Sequence, residues 1–278
     1  MTMTVTTIRE HVPVGGLDVW VEQRGEGPDV LLIAGLSDPA EAWEAQLEGL
    51  SSHFRVTAFD NPGAGRTALP EEALTVEAMA EVAAGVLSAL GIESAHVAGF
   101  SGGSGNAQEL ALRHPDAVRS LTLVSTWSRA DALMRSMTTS WLWLAEVAPD
   151  ERSMLEAFFT WIYTARAHDA GIVDHIIEEA LAFPFPQAPE AFVAQLRAWS
   201  GHDTLDRLPA IAAPTLVIAG DEDILTPPRL GRIVADRIPG ARFEVLAGEA
   251  HQPFQESPEA FNALVQAFWN EVDAVDRA

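Results

Sequence analysis

At 278 residues and 48% apolar content, the chain is long enough for one large domain, or for a domain carrying an insertion, and it has no apolar run long enough to span a bilayer. Its formal net charge of −23 opposes binding to nucleic acid or to anionic membrane surfaces. Cys is absent and all 17 basic residues are Arg, which removes disulfides, thiolate chemistry and lysine Schiff bases together. Met1 to Glu10 is Thr-rich and lacks the basic-then-apolar form of a signal peptide, so a cytoplasmic protein is expected. The eight histidines show no metal-ligand spacing, and neither a metal nor a cofactor is expected.

Residues 4–24 alternate apolar and polar in two stretches broken by Gly15-Gly16, which predicts an antiparallel hairpin. Asp29 to Ala34 is a continuous apolar run, consistent with a strand buried on both faces. A helix is predicted around Ala42–Leu50 and a strand over Phe54–Phe59, which delivers the glycine-containing loop Asp60 to Thr67. Thr75 reads as the N-cap of a helix running to about Leu90. Strand Ala95–Phe100 leads into a helix from about Gly103 to His114, followed by strand Val118–Ser125.

The alternation then stops. Residues 129–201 are helical in pattern throughout, with breaks at Pro149, Gly171 and Phe183 to Pro186, which predicts three or four inserted helices. It resumes with strand Pro214–Gly220, helix Pro228–Ile238, strand Arg242–Leu246 and a last helix from Ser257, read as its cap, to about Val272. Strands alternating with helices predict an α/β fold with a mostly parallel sheet, whose site lies at the carboxyl ends of the strands.

Three features converge at those ends. Gly99-x-Ser101-x-Gly103 is a strand-to-helix turn that holds a serine in strained geometry, with its hydroxyl at a helix N-terminus. A serine needs a base, usually His, and that His needs a carboxylate to fix its tautomer. Asp221, Glu222 and Asp223 follow one predicted strand, and His251 follows the next. The order Ser, acid, His is the one expected of such a turn.

With these motifs the chain resembles the α/β-hydrolase superfamily from Gly16 to the final helix. Asp60-x-x-Gly63-x-Gly65-Arg66-Thr67 looks like the family's loop after its fourth strand. Ala107 to Ala111 and His114-Pro115-Asp116-x-Val118-Arg119 look like the helix that follows the nucleophile turn. Pro214 to Gly220 followed by x-x-Asp223-x-x-x-Pro227 is similar to the acid-bearing segment and selects Asp223, and Gly248-x-Ala250-His251-x-Pro253 resembles the histidine loop. The resemblance implies an eight-stranded core over residues 1–128 and 202–278, with 129–201 as an inserted helical cap. It also implies a catalytic triad of Ser101, Asp223 and His251 and an oxyanion hole made by the backbone N–H groups of Leu36 and Gly102.

Two positions depart from the family pattern. Ala34-Gly35 stands where His-Gly is usual, and Gly102 is smaller than the usual residue, which implies extra room beside the serine. Asp38 is expected to cap the helix near Ala42, or else to point into the site. Five of the eight Trp residues lie between 127 and 199, so an apolar lid is expected, with Trp127, Trp141, Phe158 and Trp161 as candidate substrate contacts. Arg129, Arg135 and Arg166 are candidate partners for a substrate carboxylate.

The reading is a serine hydrolase, monomeric or homodimeric, acting on a small, mainly hydrophobic ester or lactone; its C-terminal segment looks most like that of enol-lactonases in the superfamily. Alternatives are a cofactor-free haloperoxidase or perhydrolase, a carbon–carbon bond hydrolase, and a non-catalytic ligand-binding protein. Epoxide hydrolases and dehalogenases are disfavoured because their nucleophile is Asp, and lyases that rely on a cap lysine are excluded.

Overall fold

A computed structural model describes residues 7–276. The hairpin of β1 (Thr7–Val14) and β2 (Leu17–Arg24) turns at Gly15 and Gly16, both at positive φ, where glycine adopts the left-handed backbone without a Cβ clash. The part of the expected hairpin before Thr7 lies outside the described residues. Next come β3 (Asp29–Ile33), α1 (Glu44–Leu50), β4 (Arg55–Phe59), α2 (Val76–Ala89), β5 (Ala95–Phe100), α3 (Gly102–Arg113) and β6 (Val118–Val124). A 3₁₀ turn over Ala40–Trp43 precedes α1, and the Thr75 hydroxyl caps α2 by accepting from the Ala78 N–H at 3.1 Å.

Between β6 and β7 the chain forms five helices: α4 (Ala132–Val147), α5 (Glu151–Phe159), α6 (Ala165–Asp169), α7 (Ile172–Ala182) and α8 (Pro189–Ser200). This is one more than the upper expectation. Asp131, Asp150 and Thr164 each accept from a first-turn N–H, so Thr164 starts a helix where the apolar pattern shows no break. The inserted stretch leaves and re-enters the sheet at one place, where Thr204 donates its N–H to Ser128 at 2.9 Å and Arg129 pairs with Asp203.

The chain ends with β7 (Thr215–Gly220), α9 (Pro228–Arg237), β8 (Arg242–Leu246), a short α10 (Pro253–Glu256) and α11 (Pro258–Asp276). The Ser257 hydroxyl, expected to cap the last helix, donates instead to Glu249 at 2.6 Å.

The eight strands are ordered β1-β2-β4-β3-β5-β6-β7-β8. The β1–β2 and β2–β4 pairs are antiparallel and the rest are parallel. Alternate residues of one strand feed two cores. Leu31, Ile33, Val97 and Val217 face α2, α3 and α9, whereas Val30, Leu32, Ala98, Phe100 and Ile218 face α1, α10 and α11. On the second face Trp43 stacks on Phe254 at 4.1 Å, and truncating such a buried ring costs about 3–5 kcal/mol. With both faces covered, the loops after β3, β5, β7 and β8 meet at one edge under the inserted helices.

Candidate active site

Ser101 sits between β5 and α3 at φ 50°, a left-handed conformation that costs a non-glycine residue about 1–3 kcal/mol. Its N–H donates to the Val124 carbonyl at 2.9 Å, which ties the turn to the neighbouring strand. A Cβ on Gly103 would lie 2.4 Å from the carbonyl oxygens of Ile33 and Ala34, so this turn closes only over glycine. Helix and strand therefore approach closely enough to leave the Ser101 side chain at the rim of a cavity.

His251 Nε2 lies 2.9 Å from Ser101 Oγ, and His251 Nδ1 lies 2.9 Å from Asp223 Oδ2. A carboxylate only accepts, so Nδ1 carries the proton and the Nε2 lone pair faces the serine hydroxyl. The imidazole is buried against Phe100, with its backbone held at both ends: its N–H donates to Ile162 O, and its carbonyl accepts from the Ser125 hydroxyl at 2.7 Å. Asp223 accepts from the N–H groups of Leu225 and Thr226, both at 2.8 Å, and lies 2.8 Å from the Thr226 hydroxyl. Burial alone would push the Asp223 carboxyl up. The facing His251 and the hydrogen bonds from His251 and Thr226 outweigh it and hold the group below its ordinary value.

Thr226 and Ser125 were not singled out from the sequence. The Asp-x-x-Thr spacing of 223–226 is a turn signal that points to Thr226. Nothing local marks Ser125, which has a φ of 50° and donates its N–H to Ile218 O at 2.9 Å.

Leu36 and Gly102 line the same cavity as Ser101. Gly102 is the first residue of α3, so its N–H has no helical acceptor. The space expected beside Gly102 is filled: a Cβ there would lie 2.4 Å from Cδ2 of Trp199, whose indole covers the turn. At the other departure, the Ala34 carbonyl accepts from Asn61 Nδ2 at 2.9 Å. Asn61 Oδ1 accepts from Asn106 Nδ2 at 3.3 Å, and Asn106 Oδ1 accepts from Trp199 Nε1 at 2.9 Å.

Asp38 does not cap the helix near Ala42. Asp60 takes the Ala40 N–H at 2.7 Å, while Asp38 accepts from Gln252 Nε2 at 3.3 Å. Burial raises the Asp38 carboxyl to about 7, against lowering by hydrogen bonds from the Gly35 backbone and Gln252.

The cavity is walled by Trp127, Met134, Met137, Trp141, Leu196, Trp199 and Leu225. Trp127 and Trp141 thus reach it. Phe158 stands behind, edge-on to Trp141 at 4.6 Å, and Trp161 packs against the same apolar cluster without lining the space. Aromatic spacing marks a helix face but does not separate pocket from core. The three arginines are spent elsewhere: Arg129 on Asp203 and Asp206, Arg135 on the Ala130 carbonyl, Arg166 on Glu249 and Glu256. Among the described residues no group of three His, Asp or Glu side chains could hold a metal ion, and no helix is long and apolar enough to cross a membrane.

A family model described as alpha/beta hydrolase fold matches residues 28–258. The chain is 32% identical over 260 residues to the protein of Azorhizobium caulinodans named "Putative carbamate hydrolase RutD", covering 93% of this chain and 97% of the relative. Among solved structures, it is similar to an enol-lactonase from Burkholderia xenovorans LB400, with 25% identity, a TM-score of 0.86 and coverage of 94% and 99% of the two chains. It is also similar to a thermophilic esterase from Thermogutta terrifontis, with 26% identity, a TM-score of 0.83 and coverage of 96% and 99%.

Proposed function

The chain belongs to the alpha/beta hydrolase fold family, and from that premise we propose that it is a serine hydrolase cleaving a small, mainly hydrophobic carboxylic ester or lactone. The carrying observation is the line of contacts from Ser101 Oγ to His251 Nε2 and from His251 Nδ1 to Asp223, each 2.9 Å long.

In this mechanism His251 takes the Ser101 proton as Oγ bonds to the substrate carbonyl carbon. The carbonyl π electrons move to oxygen, and the resulting oxyanion is held by the N–H groups of Leu36 and Gly102. Each such donor is worth about 10²–10³ in rate. Collapse breaks the bond to the leaving alkoxide, which takes the proton from His251. For a lactone the alcohol remains tethered to the acyl group. Water, deprotonated by the same imidazole, then attacks the acyl carbon; the bond to Ser101 Oγ breaks, Oγ takes the proton back from His251, and the acid is released. Asp223 keeps Nε2 facing the serine and stabilises the imidazolium.

The apolar walls support a hydrophobic substrate part, since no arginine or carboxylate side chain lines the cavity. Residues 129–201 act as the lid over it. A carbamate is the second reading, favoured by the Azorhizobium relative's name and by two wall hydroxyls. Thr138 and Ser200 each donate to a backbone carbonyl of their own helix and lie 3.1 Å apart, leaving lone pairs for a substrate N–H.

Ser101→Ala is expected to abolish turnover of short acyl esters and labelling by a fluorophosphonate probe. Full esterase activity in that variant would overturn the proposal. Turnover of a phenyl N-alkylcarbamate above that of the matching phenyl ester would favour the second reading.

A further inference from the structure

The loop that follows β3 carries Leu36 and then Ser37 at φ 68°, left-handed and unfavourable for a residue with a Cβ. Its own sequence, Gly35-Leu36-Ser37-Asp38, does not supply a residue that prefers this conformation at position 37. Two glutamines of the inserted stretch bond to it, Gln195 on α8 and Gln187 in the loop just before that helix. Gln195 Oε1 accepts from the Ser37 N–H at 3.3 Å, and Gln187 Oε1 accepts from the Ser37 hydroxyl at 2.6 Å. Both amides are anchored on the opposite side. Gln195 Nε2 donates to Pro62 O at 2.9 Å, and Gln187 Nε2 donates to Gly63 O and Gln195 Oε1, each at 2.9 Å.

Gln195 is fully buried and every polar atom of its amide is engaged, so its position is fixed by geometry on both sides. It lies four residues before Trp199 on α8, so both project from the same face of one helix. Trp199 covers Gly102 and, through Asn106 and Asn61, reaches the carbonyl of Ala34 at the root of the same loop. One helix face thus touches the supports of both amides to which the oxyanion role is assigned.

We infer that Gln195 is a positioning residue for the oxyanion hole: it holds Ser37 left-handed and so sets where the neighbouring Leu36 N–H points, while Trp199 steadies the Gly102 side. The inference rests on the serine-hydrolase reading. It makes the hole complete only while α8 is docked, which couples the lid's position to the chemistry.

Gln195→Met removes the acceptor with little change in volume. Misplacing one donor by about an ångström lowers kcat about ten- to a hundred-fold, while KM for a neutral ester stays within about two-fold. An alkyl trifluoromethyl ketone, whose serine adduct puts an oxyanion in the hole, should bind more weakly by the same factor as kcat/KM falls. A variant that merely loosened the fold would lower the melting temperature without tying ketone affinity to kcat/KM. The half-buried Gln187→Leu carries the same test at smaller amplitude should Gln195→Met not fold.

Unchanged kcat, or unchanged ketone affinity beside a lower kcat, overturns the inference. Ser101→Ala, assayed in parallel, separates the two failures. If it keeps its esterase activity, the serine reading falls. If it is inactive while Gln195→Met matches the parent, only the role of Gln195 falls.

Discussion

The strand ends and the inserted helices contribute to the site by different means. At the strand ends, backbone devices set the geometry: a left-handed Ser101, a glycine whose place no Cβ can take, and a His251 peptide fastened at its N–H and its carbonyl. Between 132 and 200 the contribution comes from a few side chains, above all Gln195 and Trp199, which reach down to loops that the core leaves under-determined. In the first region the close contacts are between backbone atoms, around Gly103; where the second region meets it, the Trp199 indole fills the space beside Gly102.

The sharpest way to break the first region's chemistry without disturbing its shape is Asp223→Asn. The side chain keeps its size, but His251 loses the partner that fixes its tautomer. The account predicts a fall in kcat of about 10⁴-fold with the melting temperature near that of the parent. A loss under ten-fold would mean that another group orients the imidazole.

Gly103→Ala attacks the same region through its backbone. The new Cβ would sit 2.4 Å from two carbonyl oxygens that belong to the β3 strand end, where nothing flexible can give. A loss of about 3 kcal/mol in urea unfolding is expected. A change within about 0.5 kcal/mol would show that the turn has slack.

Where the two regions meet, Gly102→Ala and Trp199→Ala form a double-mutant cycle. Alone, the methyl collides with the indole; with the indole gone, it has room. The double variant should therefore be more active than the sum of the two losses predicts, by a coupling of about 1 kcal/mol in kcat/KM. Strict additivity would separate the two residues.

The smallest effect concerns Asp38, which lies in the loop after β3 and accepts from Gln252, the residue after His251. Its carboxyl is ordinarily half-protonated at 3.8 but is raised to about 7 in the fold by burial. Between these values the folded chain holds a proton that the unfolded chain has lost, so stability falls as pH rises through this window and then levels off. Asp38→Asn removes that fall. Its melting temperature should exceed the parent's by roughly 2–4 °C at pH 8, with the gap closing toward pH 4. A constant gap across that range would remove Asp38 as its source.

The same contrast explains what could be read from the chain alone. Strand order apart, the sheet follows from apolar runs, and the turn around Ser101 follows from its glycines, because period and punctuation are local properties. The proposed acid and base were legible because Asp223 and His251 follow predicted strands in the order expected of such a turn. The contacts that Gln195 and Trp199 make with the core loops were not, since a buried glutamine on an amphipathic helix has the same sequence signature as a surface one. For the same reason Gly102 looked like empty space: the residue that fills it lies 97 positions away, on a helix whose docking no local pattern encodes. Aromatic density predicts Phe158 and Trp161 as substrate contacts, but it measures the size of an apolar cluster and not which side of it is hollow.

Acyl transfer through Ser101 passes through a covalent intermediate that can be trapped. The protein is mixed with a p-nitrophenyl alkanoate, quenched in acid within the first turnovers and digested for peptide mass mapping. The account predicts one acyl group per chain, on the peptide that contains Ser101, and none in Ser101→Ala. Steady turnover with no acylated Ser101 peptide, or with the acyl group on another residue, would contradict it.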